Sequence, residues 1–522
     1  MLIVATSIRK KVVKMHKLPF YCFITPVILF TALCPSRIFA RPSADSIKHW
    51  VGTWACAPYA AGTNTPPSPG LTNNTLRQIV KVSIGGDTLR VKFSNVTSPS
   101  AVTMNSVNIA ASKGGKVIDA ATMKTLKFNG NTSVTINAGS ETVSDPVAFN
   151  LIPGMNLAIT IYYGQCQTSP DMTHHYGSRT DSYILSGDKT SSSDFGGATS
   201  IERWYTISGI DVLAPLTTYT VAAIGNSITD GYGVHNGPSN KWTDFFAQKL
   251  LSNDVTAQVG VLNMGIGATT VLGNGPTTGV SRFQKDILEQ PGVKWIICLY
   301  GTNDIGKLSG ASAATSKAND LINTFKDWAR KAHEKDIIIY GGTITPFKGH
   351  EYYTVDAESC RKAVNNAIRS GGIFDGVIDF DRIIRDPADT TKMRADLRND
   401  WLHPNAEGYK VMGESIDLSL FTPPPVAVNP NEAAKSRSSS DIGLQVVKDV
   451  ASISFDLPDP GVVSINMYSL SGAKVASISK RQFSSGKHTE QFDCSNWTRG
   501  MYLYSIATCQ SVSVGKLIVS GR

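Results

Sequence analysis

The sequence predicts a doubly wound α/β domain set between two β-sandwich domains. Three observations carry that expectation. After Pro215 the compact apolar runs TYTVAAIG, VGVLNMG, KWIICLYG, DIIIYGG and FDGVIDF recur, short and unbroken as strands buried on both faces of a parallel sheet must be. Segments of helical period lie between them, giving strand–helix alternation over about 200 residues. From about Trp50 to Pro215, and again from Gly443 onward, apolar and polar residues alternate between Gly, Asn, Ser and Pro, the habit of strands with one buried face.

Taken in order, residues 1–40 read as a secretory signal. Arg9, Lys10, Lys11, Lys14, Lys17 and Arg37 meet no acidic residue there, an apolar run extends from Leu18 to Cys34, and Ala40 is a small residue at the cleavage point. The alternative is a retained membrane anchor, which Pro19, Pro26 and Pro35 oppose by interrupting the run. Cys34 is a poor lipidation site because the large Leu33 precedes it. The whole chain of 522 residues carries +9, and removing those six cations leaves +3. Charge therefore gives nucleic-acid binding no support, and a hydrophobic content of 41% fits a soluble protein of several domains.

Residues 41–215 hold the strand runs TLRQIVKVSI, DTLRVKFSNV, SVTINA and NLAITIYYG, with Leu89, Val91 and Phe93 on one face and no helix-period segment. In residues 216–422, Trp242, Phe245, Phe246 and Leu250 follow helical spacing, as do Leu321, Ile322, Phe325, Trp328 and Ala332 within Ala318–His333. Residues 423–442, with PPP, AAK and SRSSSD, form a low-complexity linker. Residues 443–522 return to β alternation, with a hairpin signal at Ser471-Gly472. Cys22 and Cys34 fall in the leader, and the other six cysteines form no CxxC and no Cys/His cluster of metal spacing, so no metal site is expected. Export permits disulfides. Cys56–Cys166 and Cys494–Cys509 each fall within one proposed domain, whereas Cys298, inside WIICLY, reads as a buried free thiol.

The stretch AIGNSITDG lodges Ser227 between glycines at the carboxyl end of a predicted strand, where open α/β sheets gather functional groups. It is not a GxSxG elbow, because Thr229 stands where the second glycine belongs. A serine hydroxyl needs a base, and the base needs an orienting partner. DWLHP supplies both in Asp400 and His403, with Pro404 expected to start the following helix. VGVLNMGIGATT places Asn263, Gly265, Gly267 and Ala268 after a second strand, and CLYGTNDIG places Gly301 and Asn303 after a third. Backbone N–H groups in a Gly-rich loop and an Asn amide suit an oxyanion. Each block alone also reads as an ordinary turn.

Together, in this order, the four blocks resemble the SGNH/GDSL hydrolase family across roughly residues 216–422. The resemblance implies a flavodoxin-like three-layer fold and ester hydrolysis without a cofactor. Ser227 would be the nucleophile, His403 its base and Asp400 the group orienting His403. The Ser227 N–H, the Ala268 N–H and Asn303 would line the oxyanion hole, with Gly265 or Gly267 as alternatives to Ala268. Two departures stand out: Asn226 replaces the family's aspartate and Ile228 its leucine, and Ala268 stands where the family has an oxyanion glycine. An alanine serves there unless φ must be positive.

HWVGTWACAP, TLRQIVKVSIGGDTLRVKFSN and RWYTISGIDV are similar to the accessory β-domain of a bacterial branch associated with xylan deacetylation, which implies an acetylated polysaccharide as substrate. His174 and His175 either reach the active site or are polar loop residues. Trp50, Trp54 and Trp204 either stack on sugar or belong to the core, the reading preferred here. Tyr300, Tyr352 and Tyr353 are polar aromatics of the site loops. The INMYSLSGAKV and RGMYLYSI runs and the final GKLIVSGR resemble the type A sorting domain of type IX secretion in Bacteroidetes; a small sugar-binding module is the alternative. The partners implied are the Sec translocon and the type IX machinery. Two other functions stay open: an acylhydrolase of lipid or cell wall, and an inactive glycan-binding surface protein. With His403 as base, ester hydrolysis is expected to fall below about pH 6–7 in a pH–rate profile, and a rate unchanged to pH 4 would remove that role.

Overall fold

The computed structural model describes residues 48–235, 240–423, 443–447, 450–457, 460–468, 474–498, 500–507 and 512–519. The leader, nearly all of the linker and the Ser471-Gly472 hairpin lie outside them. Among the described residues no helix is long and apolar enough to cross a membrane.

The amino-terminal region is built of antiparallel strands. One sheet runs Lys48–Ala55, Ile207–Pro215, Gly86–Ser94, Val147–Leu151, and another includes Ser182–Ser186, Asn74–Lys81, Asn156–Cys166 and Val102–Gly114. Leu89, Val91 and Phe93 point inward, as their alternation predicts, and share one core with Val80, Ile109, Ile159 and Ile161 of the second sheet. Trp54 and Trp204 belong to that core and meet edge to face at 4.9 Å. Cys56 and Cys166 are buried but unpaired, so the expected disulfide is absent. Cys166 ends a strand of the second sheet, whereas Cys56 follows a strand of the first; the Cys56 thiol faces the Ile207 carbonyl, and burial pushes the Cys166 thiol up to about 12. Cys298 is a buried free thiol as expected, and Cys509 lies outside the described residues.

Five parallel strands follow: β1 (Tyr219–Gly225), β2 (Val259–Gly265), β3 (Val293–Leu299), β4 (Ile338–Gly342) and β5 (Gly376–Ile378). Their order is β2-β1-β3-β4-β5, which places a switch of direction at β1. The helices include α1 (Ser227–Asp230), α2 (Trp242–Leu251), α3 (Thr302–Ile305), α4 (Ala311–His333), α5 (Val355–Arg369) and α6 (Ala406–Glu414). Alternate residues of β1 enter two cores. Val221 and Ala223 pack with Trp242, Phe246, Tyr409 and Met412 of α2 and α6. Ala222 and Ile224 pack with Leu321, Phe325, Trp328, Val364 and Ile368 of α4 and α5.

Two helix starts differ from the expectation. α4 begins at Ala311, seven residues before the apolar rhythm becomes visible, because only Ala314 and Ala318 of its first turns are buried. α6 begins at Ala406, not at Pro404, because the Asn405 side chain caps it by accepting the Gly408 N–H. The carboxyl-terminal region has strands Gly443–Val447, Val450–Leu457 and Gly486–Asp493 in one sheet and Lys474–Phe483, Gly461–Tyr468, Gly500–Ala507 and Val512–Val519 in another. Its core includes Ile453, Phe455, Val463, Ile465, Met467 and Leu517.

The parallel register pairs Gly225 with both Gly265 and Leu299, so the loops after β1, β2 and β3 leave the sheet at one level. Gly265 also lets α1 sit close against β2, since a Cβ there would lie 2.4 Å from the Asp230 nitrogen. Gly265→Ala is expected to cost roughly 1–3 kcal/mol by overpacking against backbone, read as a lower urea midpoint with an unchanged slope. An unchanged midpoint would show that α1 has room to move.

Candidate active site

β1 ends at Gly225, and the chain turns at once into the single turn of α1. Gly225 must be glycine, because a Cβ would come within 2.1 Å of Thr229 Oγ1 and 2.5 Å of the Leu299 carbonyl. Asn226 caps the turn, its Oδ1 accepting the Ile228 N–H at 3.1 Å. An aspartate oxygen would accept the same hydrogen, so this departure leaves the cap intact. Ser227 is the first residue of the turn.

Ser227 Oγ lies 2.8 Å from His403 Nε2. On the far side of the ring, His403 Nδ1 lies 2.9 Å from Asp400 Oδ2. The other carboxylate oxygen, Oδ1, accepts the Leu402 and His403 N–H groups at 2.7 and 2.6 Å, which folds the DWLH loop on itself. Partial burial alone would raise the Asp400 carboxyl, but these hydrogen bonds, the His403 ring foremost, hold it well below the usual carboxylate range. The three side chains, 173 and more residues apart from Ser227 to the loop in sequence, thus form one continuous hydrogen-bonded chain. A serine, an imidazole and an ionised carboxylate in this order can pass a proton from hydroxyl to ring while the carboxylate holds the ring's orientation.

Gly267, Ala268 and Asn303 line the same cleft as Ser227 and His403. The backbone N–H groups of Ser227 and Ala268 make no hydrogen bond among the described residues. Ala268 has φ +62°, the left-handed backbone on which the sequence reading turned. Gly265 does not line the cleft; it serves the close packing of α1 on β2. Asn303 Nδ2 donates to the Thr269 carbonyl at 2.8 Å, and Asp304 accepts the Val271 and Leu272 N–H groups, each at 2.9 Å. The Gly-rich loop after β2 is therefore fastened to α3.

Residues 223–411 match the GDSL-like lipase/acylhydrolase family. Residues 447–520 match a secretion system C-terminal sorting domain, which marks the chain for the type IX machinery and for release or display at the cell surface. No curated protein matches the chain. Solved structures similar to it include a G-D-S-L family protein from Desulfitobacterium hafniense DCB-2, with 24% identity over 38% of this chain and 97% of that one and a TM-score of 0.29. A GDSL-like lipase from Bacteroides thetaiotaomicron has 15% identity over 42% of this chain and 89% of its own, with a TM-score of 0.26. An acetylxylan esterase from Geobacillus stearothermophilus has 17% identity over 37% and 90%, with a TM-score of 0.28.

The GDSL region does not make its cleft alone. Tyr59, Asn64, Tyr176 and Arg179 of the amino-terminal region line it opposite Tyr232, His350, Glu351 and Tyr352, enclosing about 420 Å³. The two regions meet at Asp230, at the end of the turn that carries Ser227. Asp230 Oδ1 lies 3.0 Å from His175 Nε2, and Oδ2 accepts Arg179 Nη2 at 2.9 Å, with all three side chains buried. Burial opposes the charge on Asp230, yet Arg179, then His175, and Lys241 hold its carboxyl far below the usual range. Lys241 Nζ donates to the Gly177 carbonyl at 3.0 Å, and a Cβ on Gly177 would collide with the Asp230 carboxylate at 1.9 Å.

His174 and His175 are thus buried strand residues, in Thr173–His175, rather than loop residues. His175 reaches the back of the Ser227 turn through Asp230, and His174 packs on Tyr59 at 4.6 Å. Tyr300 is buried, its hydroxyl 2.6 Å from Thr269 Oγ1, and so supports the loop from behind. Tyr352 lines the cleft, whereas Tyr353 packs on Phe347. Among the described residues no group of three His, Cys, Asp or Glu side chains could hold a metal ion. Asp230, Arg179 and Tyr176 escaped the sequence reading; the one available signal was a charged residue a single turn after Ser227 in an otherwise uncharged block.

Removing one partner of a buried ion pair leaves the other charge stranded. Arg179→Met is therefore expected to destabilise the fold by about 3–5 kcal/mol near neutral pH. Because the folded carboxyl of Asp230 is depressed, its contribution is complete above the unfolded value of about 4 and is lost as pH falls through the folded value. Urea melts should show the gap between wild type and variant narrowing below about pH 4. A gap equally wide at pH 3 and pH 7 would mean the ion pair is not its source.

Proposed function

We propose that this chain is a secreted serine esterase that removes short acyl groups, chiefly acetyl, from plant polysaccharide, with acetylated xylan as its substrate class. The observation that carries the reading is the unbroken Ser227–His403–Asp400 chain at 2.8 and 2.9 Å, in a region of the GDSL acylhydrolase family. Ser227 Oγ attacks the ester carbonyl while His403 Nε2 takes its proton, and Asp400 steadies the imidazolium that forms. His403 returns the proton to the departing sugar hydroxyl. Water then repeats the sequence on the acyl-serine, releasing the acid and restoring Ser227.

The developing oxyanion is held by the N–H groups of Ser227 and Ala268 and by the Asn303 amide. One Asn303 N–H is engaged by Thr269; the second remains for the substrate, with the amide already oriented. A cleft lined by Asn64, Asn303, His350 and Glu351 suits a short acyl group on a hydrated alcohol better than a long acyl chain. The sorting domain and the basic, apolar leader of residues 1–40 support export through the inner and then the outer membrane. The same reading divides the chain into a signal (1–40), an amino-terminal β-sandwich (41–215), a three-layer hydrolase domain (216–422), a linker (423–442) and a carboxyl-terminal β-sandwich (443–522).

On a chromogenic acetate ester, Ser227→Ala is expected to lower kcat by at least about 10³-fold and Asn303→Ala by about 10²–10³-fold, while Ala268→Gly, which keeps the backbone N–H but loosens it, is expected to lower it by less than either. Equal rates for wild type and Ser227→Ala would eliminate the nucleophile and leave a binding protein. Acetate release from acetylated xylan, pectin and peptidoglycan, set against fatty-acid release from long-chain esters, tests the substrate. Activity on the long-chain esters alone defeats the polysaccharide reading.

A further inference from the structure

Among the aromatic side chains whose exposure the structure describes, three are more than a third exposed: Tyr176 at 38%, Tyr232 at 42% and Trp401 at 39%. They come from three separate segments, and two of them stand at one cleft. Tyr176 and Tyr232 line it together with Ser227 and His403. The Tyr232 ring lies 4.3 Å from that of His403, and the Arg179 guanidinium lies between the two tyrosines, 5.7 Å from the Tyr176 centroid and 5.6 Å from that of Tyr232. Trp401 stands in the loop between Asp400 and His403. It packs over Gly349, where a Cβ would come within 2.3 Å of the indole, and so borders His350, which lines the cleft. Arg398 stacks on it at 3.4 Å.

Single exposed aromatics are ordinary on a protein surface. Two of the three at one cleft and the third in the loop that carries its histidine, with every other described aromatic at least partly buried, is not an ordinary distribution. Each ring leaves apolar area in water that a bound ligand would cover. The rings are not continuous with one another. Arg179 separates Tyr176 from Tyr232, and Asn64, His350 and Glu351 lie along the same lining. Arg179 is buried, and its Nε has no hydrogen-bond partner among the described residues. A long acyl chain requires an unbroken apolar trough. A pyranose presents a face of C–H bonds to an aromatic ring and a rim of hydroxyls to polar neighbours, and this lining alternates in the same way.

We propose that Tyr176, Tyr232 and Trp401 form a carbohydrate-binding rim that seats sugar rings of the acetylated polysaccharide around Ser227, with the amino-terminal region contributing through Tyr176. The rim rests on the esterase reading above and adds to it the residues that select the alcohol. Tyr176 lies outside the Ser227–His403–Asp400 chain and on a different region, so its variants report on sugar binding.

The test compares kcat/KM of the full chain on acetylated xylooligosaccharides with kcat/KM on 4-nitrophenyl acetate. Tyr176→Ala is expected to lower the ratio of the two roughly tenfold, chiefly through KM on the oligosaccharide, and Tyr176→Phe and Tyr176→Trp are expected to restore it. An unmoved ratio, a fall of both substrates in step, or no recovery with Phe and Trp would overturn the rim. Wild type that cleaves 4-nitrophenyl acetate but releases no acetate from the oligosaccharides would instead overturn the polysaccharide reading, and the rim with it. A second readout needs no Tyr176 variant. Titrating the Ser227→Ala chain with the oligosaccharides should change its indole fluorescence, and adding Trp401→Phe should remove that change; a change that persists excludes Trp401.

Discussion

One buried carboxylate fixes the turn that carries Ser227 from behind. Asp230 closes the single turn that begins at Ser227, and its two oxygens are divided between His175 and Arg179 of the amino-terminal region. A four-residue helix has almost no stability of its own. What fixes this one is its surroundings: the Asn226 cap at one end, the left-handed Gly231 at the other, and the ion pairs behind it. The position of the Ser227 hydroxyl is therefore set from outside the parallel sheet as much as from within it.

Such a carboxylate is a poor source of net stability. Taking Asp230, Arg179 and Lys241 out of water costs several kcal/mol per ion, and their mutual attraction does little more than offset that. What the cluster does provide is uniqueness. An apolar contact between the two regions could slide, whereas carboxylate oxygens bonded to a guanidinium and an imidazole admit one geometry. Gly177 enforces the same register sterically, since it is the one residue type that fits against the Asp230 carboxylate. The interface trades stability for placement, which suits the proposed role of Ser227, where the tolerance is a fraction of an ångström.

The sequence was most legible where one segment carries its own signal. Each parallel strand shows as an apolar run because both its faces are buried, and the Ser227, Asn303 and Asp400/His403 blocks show because strand ends and turns concentrate Gly, Asn and Asp. It was least legible where a residue takes its meaning from a distant partner. His175 and Arg179 lie 55 and 51 residues from Asp230; the strand that carries His175, Thr173–His175, is too short to show a period, and Arg179 follows it in a loop. Its neighbours Tyr59–Ala60 and Trp204–Tyr205 are shorter still, so a buried three-strand ladder reads as loop. The expected Cys56–Cys166 bridge failed for a related reason: membership of one domain does not say which sheet a thiol joins.

Ala268 shows how a local rule yields to a framework. A left-handed backbone costs a residue bearing a Cβ about 1–2 kcal/mol, and glycine would avoid that cost. The loop around it has no freedom to relax: Thr269 is held by Tyr300 and by the Ile266 carbonyl, and Val271 and Leu272 are held by Asp304. Strain persists where neighbouring bonds over-determine a residue's conformation. Burial drives Asp304 toward the neutral acid, but two backbone N–H groups aimed at its oxygens favour the charged form that can accept both. In the proposed role, the reward is a backbone donor that need not reorganise as charge develops on the substrate. A more flexible glycine would release the strain and loosen the donor with it. For an oxyanion, rigidity in the right place is worth more than a relaxed loop, and alanine at φ +62° is consistent with a site that has settled on the former.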